Sequence, residues 1–102
     1  MQIVNESGTL KICGELRIAE ADQLRDALFA YLTQTQTLQI DLSAVESCDT
    51  AALQLFLSLR LSAEKSGKSL QLVTTSSRFK EDVMALGVTV SALAYAAEGS
   101  NA

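Results

Sequence analysis

The sequence has no histidine and no proline, and only two cysteines in 102 residues. Without histidine, neither a Ser-His nor a Cys-His nucleophile pair can be assembled. The cysteines, Cys13 and Cys48, lie far apart without C-x-x-C spacing or a cluster of further ligands. A disulfide between them is open, but two thiols in a chain with an adequate core fit a reduced, cytoplasmic setting better. Strong positive charge is missing too: eight Lys and Arg are scattered against twelve Asp and Glu, and the net charge is -4. Phosphate backbones need a basic face, so a nucleic-acid partner is not expected. Long apolar runs are absent, so no direct membrane insertion is expected. The opening MQIVNESGTLKI carries Asn5, Glu6, Ser7 and Lys11 and does not read as a signal peptide.

What is present is a sequence 48% hydrophobic, with no internal repeat, low-complexity tract or linker. That fits one domain over residues 1–102, of a size that hides roughly two-thirds of the unfolded chain's surface. With proline missing, punctuation falls to Gly8, Gly14, Gly67 and Gly87. Residues 9–13 alternate, with Leu10 and Ile12 on one side, and predict a strand; Ile3 and Val4 offer it a partner across a turn near Gly8. Residues 20–33 predict a helix, because Ala21, Leu24, Ala27, Leu28, Tyr31 and Leu32 share a face. Residues 37–42 alternate again, followed by a short polar turn and a helix over 50–65. Leu70 and Leu72 mark another strand. Ser76 or Ser77 caps a helix carrying Phe79, Val83 and Leu86 that stops at Gly87. Val88 and Val90 predict a last short strand, and a tail over 92–102 resists placement and is expected to fray at its end. Alternating strands and helices predict an α/β fold with some parallel pairing.

The informative stretch is DLSAVESCDTAAL, residues 41–53. It delivers Asp49 and Thr50 to the start of the longest helix. At about 100° per residue, Ala52, Leu55, Phe56, Leu59 and Ala63 form a core face. Leu53, Leu57 and Leu61 form a second line roughly 120° away, with Thr50 at its head. A neighbouring helix or the tail can cover that line; alternatively it is an apolar docking strip with a polar rim. A hydroxyl above such a strip is a means of control, since phosphorylation adds about -1.5 to -2 charge that a flat partner surface cannot desolvate. The plain alternative for Asp49-Thr50 is a helix cap, for which both residue types are preferred.

An enzyme finds little support. There is no glycine-rich phosphate loop, and Cys48 reads as a structural thiol. Asp41, Glu46 and Asp49 can gather around a divalent ion, but hydrated turn carboxylates are the better reading. Neither a metal nor a cofactor is expected.

The stretch resembles the STAS domain, shared by bacterial anti-sigma factor antagonists and the cytoplasmic tails of sulfate transporters. The matching pieces are Asp41-Leu42-Ser43, Val45, Asp49-Thr50 and Leu53. Around them, Gly14-Glu15-Leu16, the turn in SGKSLQLV (66–73) and the Leu86-Gly87 pair agree in order over roughly residues 8–90. Two positions depart from the family pattern: Thr50 replaces the commoner serine, and Ala52 stands where glycine usually precedes the leucine.

The resemblance implies a mixed sheet of about four to five strands with helices mainly on one face. It also implies a cytoplasmic, non-enzymatic partner-switching protein in bacterial signal transduction. Thr50 would be phosphorylated by a kinase-type anti-sigma factor or similar ATPase, and a phosphatase would clear the phosphate. Asp49, Thr50, Leu53, Leu57 and Leu61, with Ser43 and Glu46 of the preceding turn, would form the contact surface. The alternatives are a STAS subunit that binds the ATPase of a phospholipid-trafficking ABC transporter, and a chemotaxis or signalling-cluster STAS protein. A monomer or weak homodimer is expected, because the leucine strip can also pair two copies.

Overall fold

A computed structural model describes residues 1–97. Its elements are β1 (Gln2–Glu6), β2 (Thr9–Leu16), α1 (Ala21–Gln34), β3 (Thr37–Cys48), α2 (Thr50–Lys65), β4 (Ser69–Thr75) and α3 (Ser77–Ala85). Short 3-10 turns cover Ile18–Glu20 and Val90–Leu93. The sheet runs in the order β1-β2-β3-β4, with β1 antiparallel to β2 and the other neighbours parallel. This is an α/β fold with a four-stranded mixed sheet.

The β1-β2 hairpin closes through Ser7 and Gly8, whose φ angles are +51° and +89°. Two consecutive positive φ values are the twist a two-residue hairpin loop requires. Strand order then advances without reversal, so right-handed crossovers place α1 and α2 on the same side of the sheet. There they pack against each other. Leu10, Ile12, Leu38, Ile40 and Leu42 point from the sheet into this layer. Leu24, Leu28, Phe56 and Leu59 meet them from the helices, and Phe79 of α3 closes edge-on against Phe56, with ring centroids 5.8 Å apart.

Two expectations are corrected. The polar turn expected after Leu42 is strand: β3 continues to Cys48. Its alternation is hidden by bulges, because Asp41 to Ala44 oppose only Lys11 to Cys13, and Val45 to Ser47 oppose only Gly14 to Glu15. The extra residues turn Val45 and Cys48 inward at a spacing of three rather than two. The strand expected at Val88 and Val90 does not form; Val90–Leu93 is a 3-10 turn that buries Leu93. Sheet pairing comes one step later, where Tyr95 makes an antiparallel bridge to Leu70 on the β4 edge. Arg60 supports this segment by donating from Nε to the Ala94 carbonyl at 3.3 Å. The expected fraying at the chain's end lies outside the described residues.

Candidate functional site

β3 outruns β4, so the backbone of its last residues has no strand on that side. Residues of α3 supply the missing partners. Ser76 accepts from the Phe79 amide at 3.0 Å to cap α3, and its hydroxyl donates to the Val45 carbonyl at 2.7 Å. Asp82 accepts from the Cys48 amide at 2.9 Å while Arg78 holds its other oxygen at 3.2 Å. On the opposite side the Asp49 amide donates to the Leu16 carbonyl at 3.0 Å. The entrance to α2 is therefore tied to β2 and α3 before any partner arrives.

Asp49 is the N-cap of α2, and both of its carboxylate oxygens are engaged. Oδ1 accepts from the Ala52 amide at 3.0 Å and Oδ2 from the Ile18 amide at 2.8 Å. One side chain thus caps a helix and pins the 3-10 turn beside it. Thr50 is exposed, and among the described residues its hydroxyl has no hydrogen-bond partner. It opens onto a groove of about 470 Å³ whose lining includes Arg17, Ser47, Asp49, Asp82 and Leu86. Burial, helped by the charges of Asp49 and Asp82, raises the Cys48 pKa to about 12. A thiol so placed stays neutral and is a poor nucleophile.

The second line of α2 does not form one exposed strip. Leu53 is 4% exposed and belongs to the core, Leu57 is half-buried, and Leu61 is 53% exposed. α2 packs on α1 and on both 3-10 turns, the first of which is tied to Asp49 at its N-terminal end, so this line is not left uniformly to solvent. Leu61 lies about 16 Å along the helix from Thr50. Ala52 is buried in the core, so its methyl does not crowd the surface around Thr50.

Ser43 and Glu46 are exposed on β3 rather than on a turn, and neither lines the Thr50 groove. The Ser43 amide donates to Asp41 at 2.9 Å, which with the Ser43 side chain lowers the Asp41 pKa. Glu46 lines a separate groove with Met1, Gln2, Cys13 and Gly14. Among the described residues, no group of three or more Cys, Asp or Glu is placed to hold a metal ion.

Sequence reasoning missed the groove's other walls. Leu86, 41% exposed, lines it from the end of α3, and Ile18, 74% exposed, lies outside the lining but is held next to it by the bond from its amide to Asp49. Ile18 carried one signal: it is an apolar residue outside both the β2 alternation and the α1 stripe. Arg17 and Asp82 carried none, since only the fold brings them to residues 47–50.

The family described as "Mlab, STAS domain" matches residues 1–94. A search of curated proteins finds no significant match. Among solved structures, the crystal structure of an anti-sigma factor antagonist from Mycobacterium paratuberculosis is similar, with a TM-score of 0.69 and 21% identity. The alignment covers 84% of this chain and 75% of that one. At such identity the likeness speaks for the fold. The match over nearly the whole length goes further: the chain belongs to the STAS domain family. Among the described residues, no helix is long and apolar enough to cross a membrane.

Proposed function

We propose that this chain is a single-domain, non-enzymatic regulator that acts in the cytoplasm by binding a protein partner, as anti-sigma factor antagonists do, and that phosphorylation of Thr50 switches it. The observation that carries this reading is the contrast between two adjacent residues. Asp49 is fully committed to holding the fold, whereas the Thr50 hydroxyl is exposed and uncommitted on an open groove. The proposed contact surface is that groove, with Leu86 in its lining and the exposed Ile18 next to it, extended along α2 by Leu57 and Leu61.

The partner is a kinase-type ATPase. It transfers the γ-phosphoryl group of ATP to Thr50 Oγ1. A P–O bond to threonine forms, the bond to the β–γ bridging oxygen breaks, ADP leaves, and the hydroxyl proton passes to a base on the kinase. The product carries about -1.5 to -2 charge at the groove, which a docked apolar surface would have to desolvate. The helix start tolerates that charge, so the fold persists while docking is lost. A phosphatase restores the binding form by hydrolysing the same ester.

The test uses tagged wild-type, Thr50→Ala and Thr50→Glu chains in the native cell, with mass spectrometry of the captured proteins and of the Thr50 peptide. A kinase-type ATPase should be retained by the wild type and Thr50→Ala and lost by Thr50→Glu. With ATP, the purified ATPase should add one phosphate to the wild type and none to Thr50→Ala. A transporter ATPase captured equally by all three, with no phosphate on Thr50, would refute the switch and favour a transport subunit.

A further inference from the structure

We propose that Arg17 is the intramolecular receptor for the phosphate on Thr50, moving from Glu15 and Glu20 to pair with it across the groove. The inference rests on reading Thr50 as a phosphorylation site, and adds how this chain distinguishes its two states.

Arg17 and Thr50 line the same groove, and among the described residues lining it Arg17 alone is cationic. The carboxylates that share the groove are occupied elsewhere. Asp49 binds the Ile18 and Ala52 amides, while Asp82 binds the Cys48 amide and Arg78. Neither needs Arg17, and Arg78 is held by Asp82. The present partners of Arg17 are loose: Glu15 at 3.4 Å and Glu20 at 3.8 Å, on a guanidinium side chain 56% exposed. The Glu15 pair is exposed at both ends and contributes little, while the longer Glu20 contact reaches a carboxylate 22% exposed and is the one the swap has to outweigh. A phosphate dianion offers shorter, two-pronged, charge-assisted bonds to the same guanidinium.

The backbone of Arg17 is already anchored. It follows Leu16, whose carbonyl accepts from Asp49, and precedes Ile18, whose amide donates to Asp49; its own carbonyl accepts from the Glu20 amide at 2.9 Å. Only its side chain has to move, a rotamer change open to an exposed residue within nanoseconds. The swap closes the groove with the arginine and frees Glu15 and Glu20 beside it. The partner then meets both a covered groove and a more acidic rim. The switch is steric as well as electrostatic.

The experiment installs phosphothreonine at position 50 of the full chain during translation, so no kinase is required. The second ionisation of the phosphate is followed by 31P NMR against pH in the otherwise wild-type chain, Arg17→Gln and Arg78→Gln. Circular dichroism confirms that all three share one fold. The groups that face the phosphate are Arg17, Asp49 and Asp82, with Glu15, Glu20 and Arg78 behind them. An opposite charge in contact favours the dianion, so Arg17→Gln should raise the phosphate pKa by about half a unit or more, and Arg78→Gln, which only uncovers Asp82, should raise it less. Identical titrations of the wild type and Arg17→Gln, or a rise seen only in Arg78→Gln, would overturn the assignment. Either result is independent of whether a kinase modifies Thr50 in the cell, so failure here and failure of the functional reading are separable.

Discussion

Replacing Asp49 by alanine deletes two hydrogen bonds with one substitution. Loss of the cap to the Ala52 amide costs about 1 kcal/mol, within the usual range for an N-cap aspartate. Loss of the bond to the Ile18 amide, with a charged acceptor at a solvent-exposed site, costs about another 1 kcal/mol. The expected total is about 2 kcal/mol, which for a chain of this size lowers Tm by about 10 °C. Asp49→Ser separates the contributions. A serine still caps the helix but does not reach Ile18, so about half of the loss should return. Urea titration followed by circular dichroism measures both variants, and an unchanged m-value assures that the two end states are comparable. A loss below about 0.5 kcal/mol for Asp49→Ala would refute the reasoning, leaving the carboxylate free to serve a partner directly.

The division of the apolar residues into core and surface gives a second expectation. Leu53→Ala should destabilise by about 2–5 kcal/mol in the same assay, whereas Ile18→Ser should change stability by less than about 0.5 kcal/mol and still weaken binding to the captured partner. The buried thiol gives a third. Cys48 should react with a disulfide reagent at pH 8 only as the chain unfolds, because its folded pKa is about 12. The unfolded thiol ionises near its ordinary value of 9.0 while the folded one keeps its proton, so the unfolded state gains as pH rises. Wild-type stability should therefore fall above about pH 9 relative to Cys48→Ala, and an equal pH dependence of the two would contradict the burial of this thiol.

Legibility followed periodicity. The apolar stripe of α1 and the bounds of α2 stand in the sequence, because each helix buries one continuous core face at helical spacing. A serine cap at Ser76 or Ser77 and the Gly87 stop are equally local; the structure uses Ser76, and Gly87 sits at φ +86°. The far half of β3 was illegible because its bulges replace a spacing of two by one of three. That spacing imitates a turn or a stretch of helix when read alone. The Val90 segment misled for the opposite reason: β-branched residues favour a strand, but only the Tyr95 segment reaches the β4 edge to pair.

By itself the sequence determined the alternation of strands and helices, and with it the α/β class. It also placed Asp49-Thr50 at a helix start, since hydrophobic period and capping chemistry act within a few residues of one another. Tertiary structure decided which apolar residues on α2 are surface, burying Leu53 and leaving Leu61 in water. It also assembled Arg17, Asp82 and Leu86 around the groove that Thr50 lines and tied Ile18 to Asp49. Those contacts join positions some 30 residues apart in sequence. A parallel sheet aligns successive strand ends on one edge, and no local pattern records what meets there.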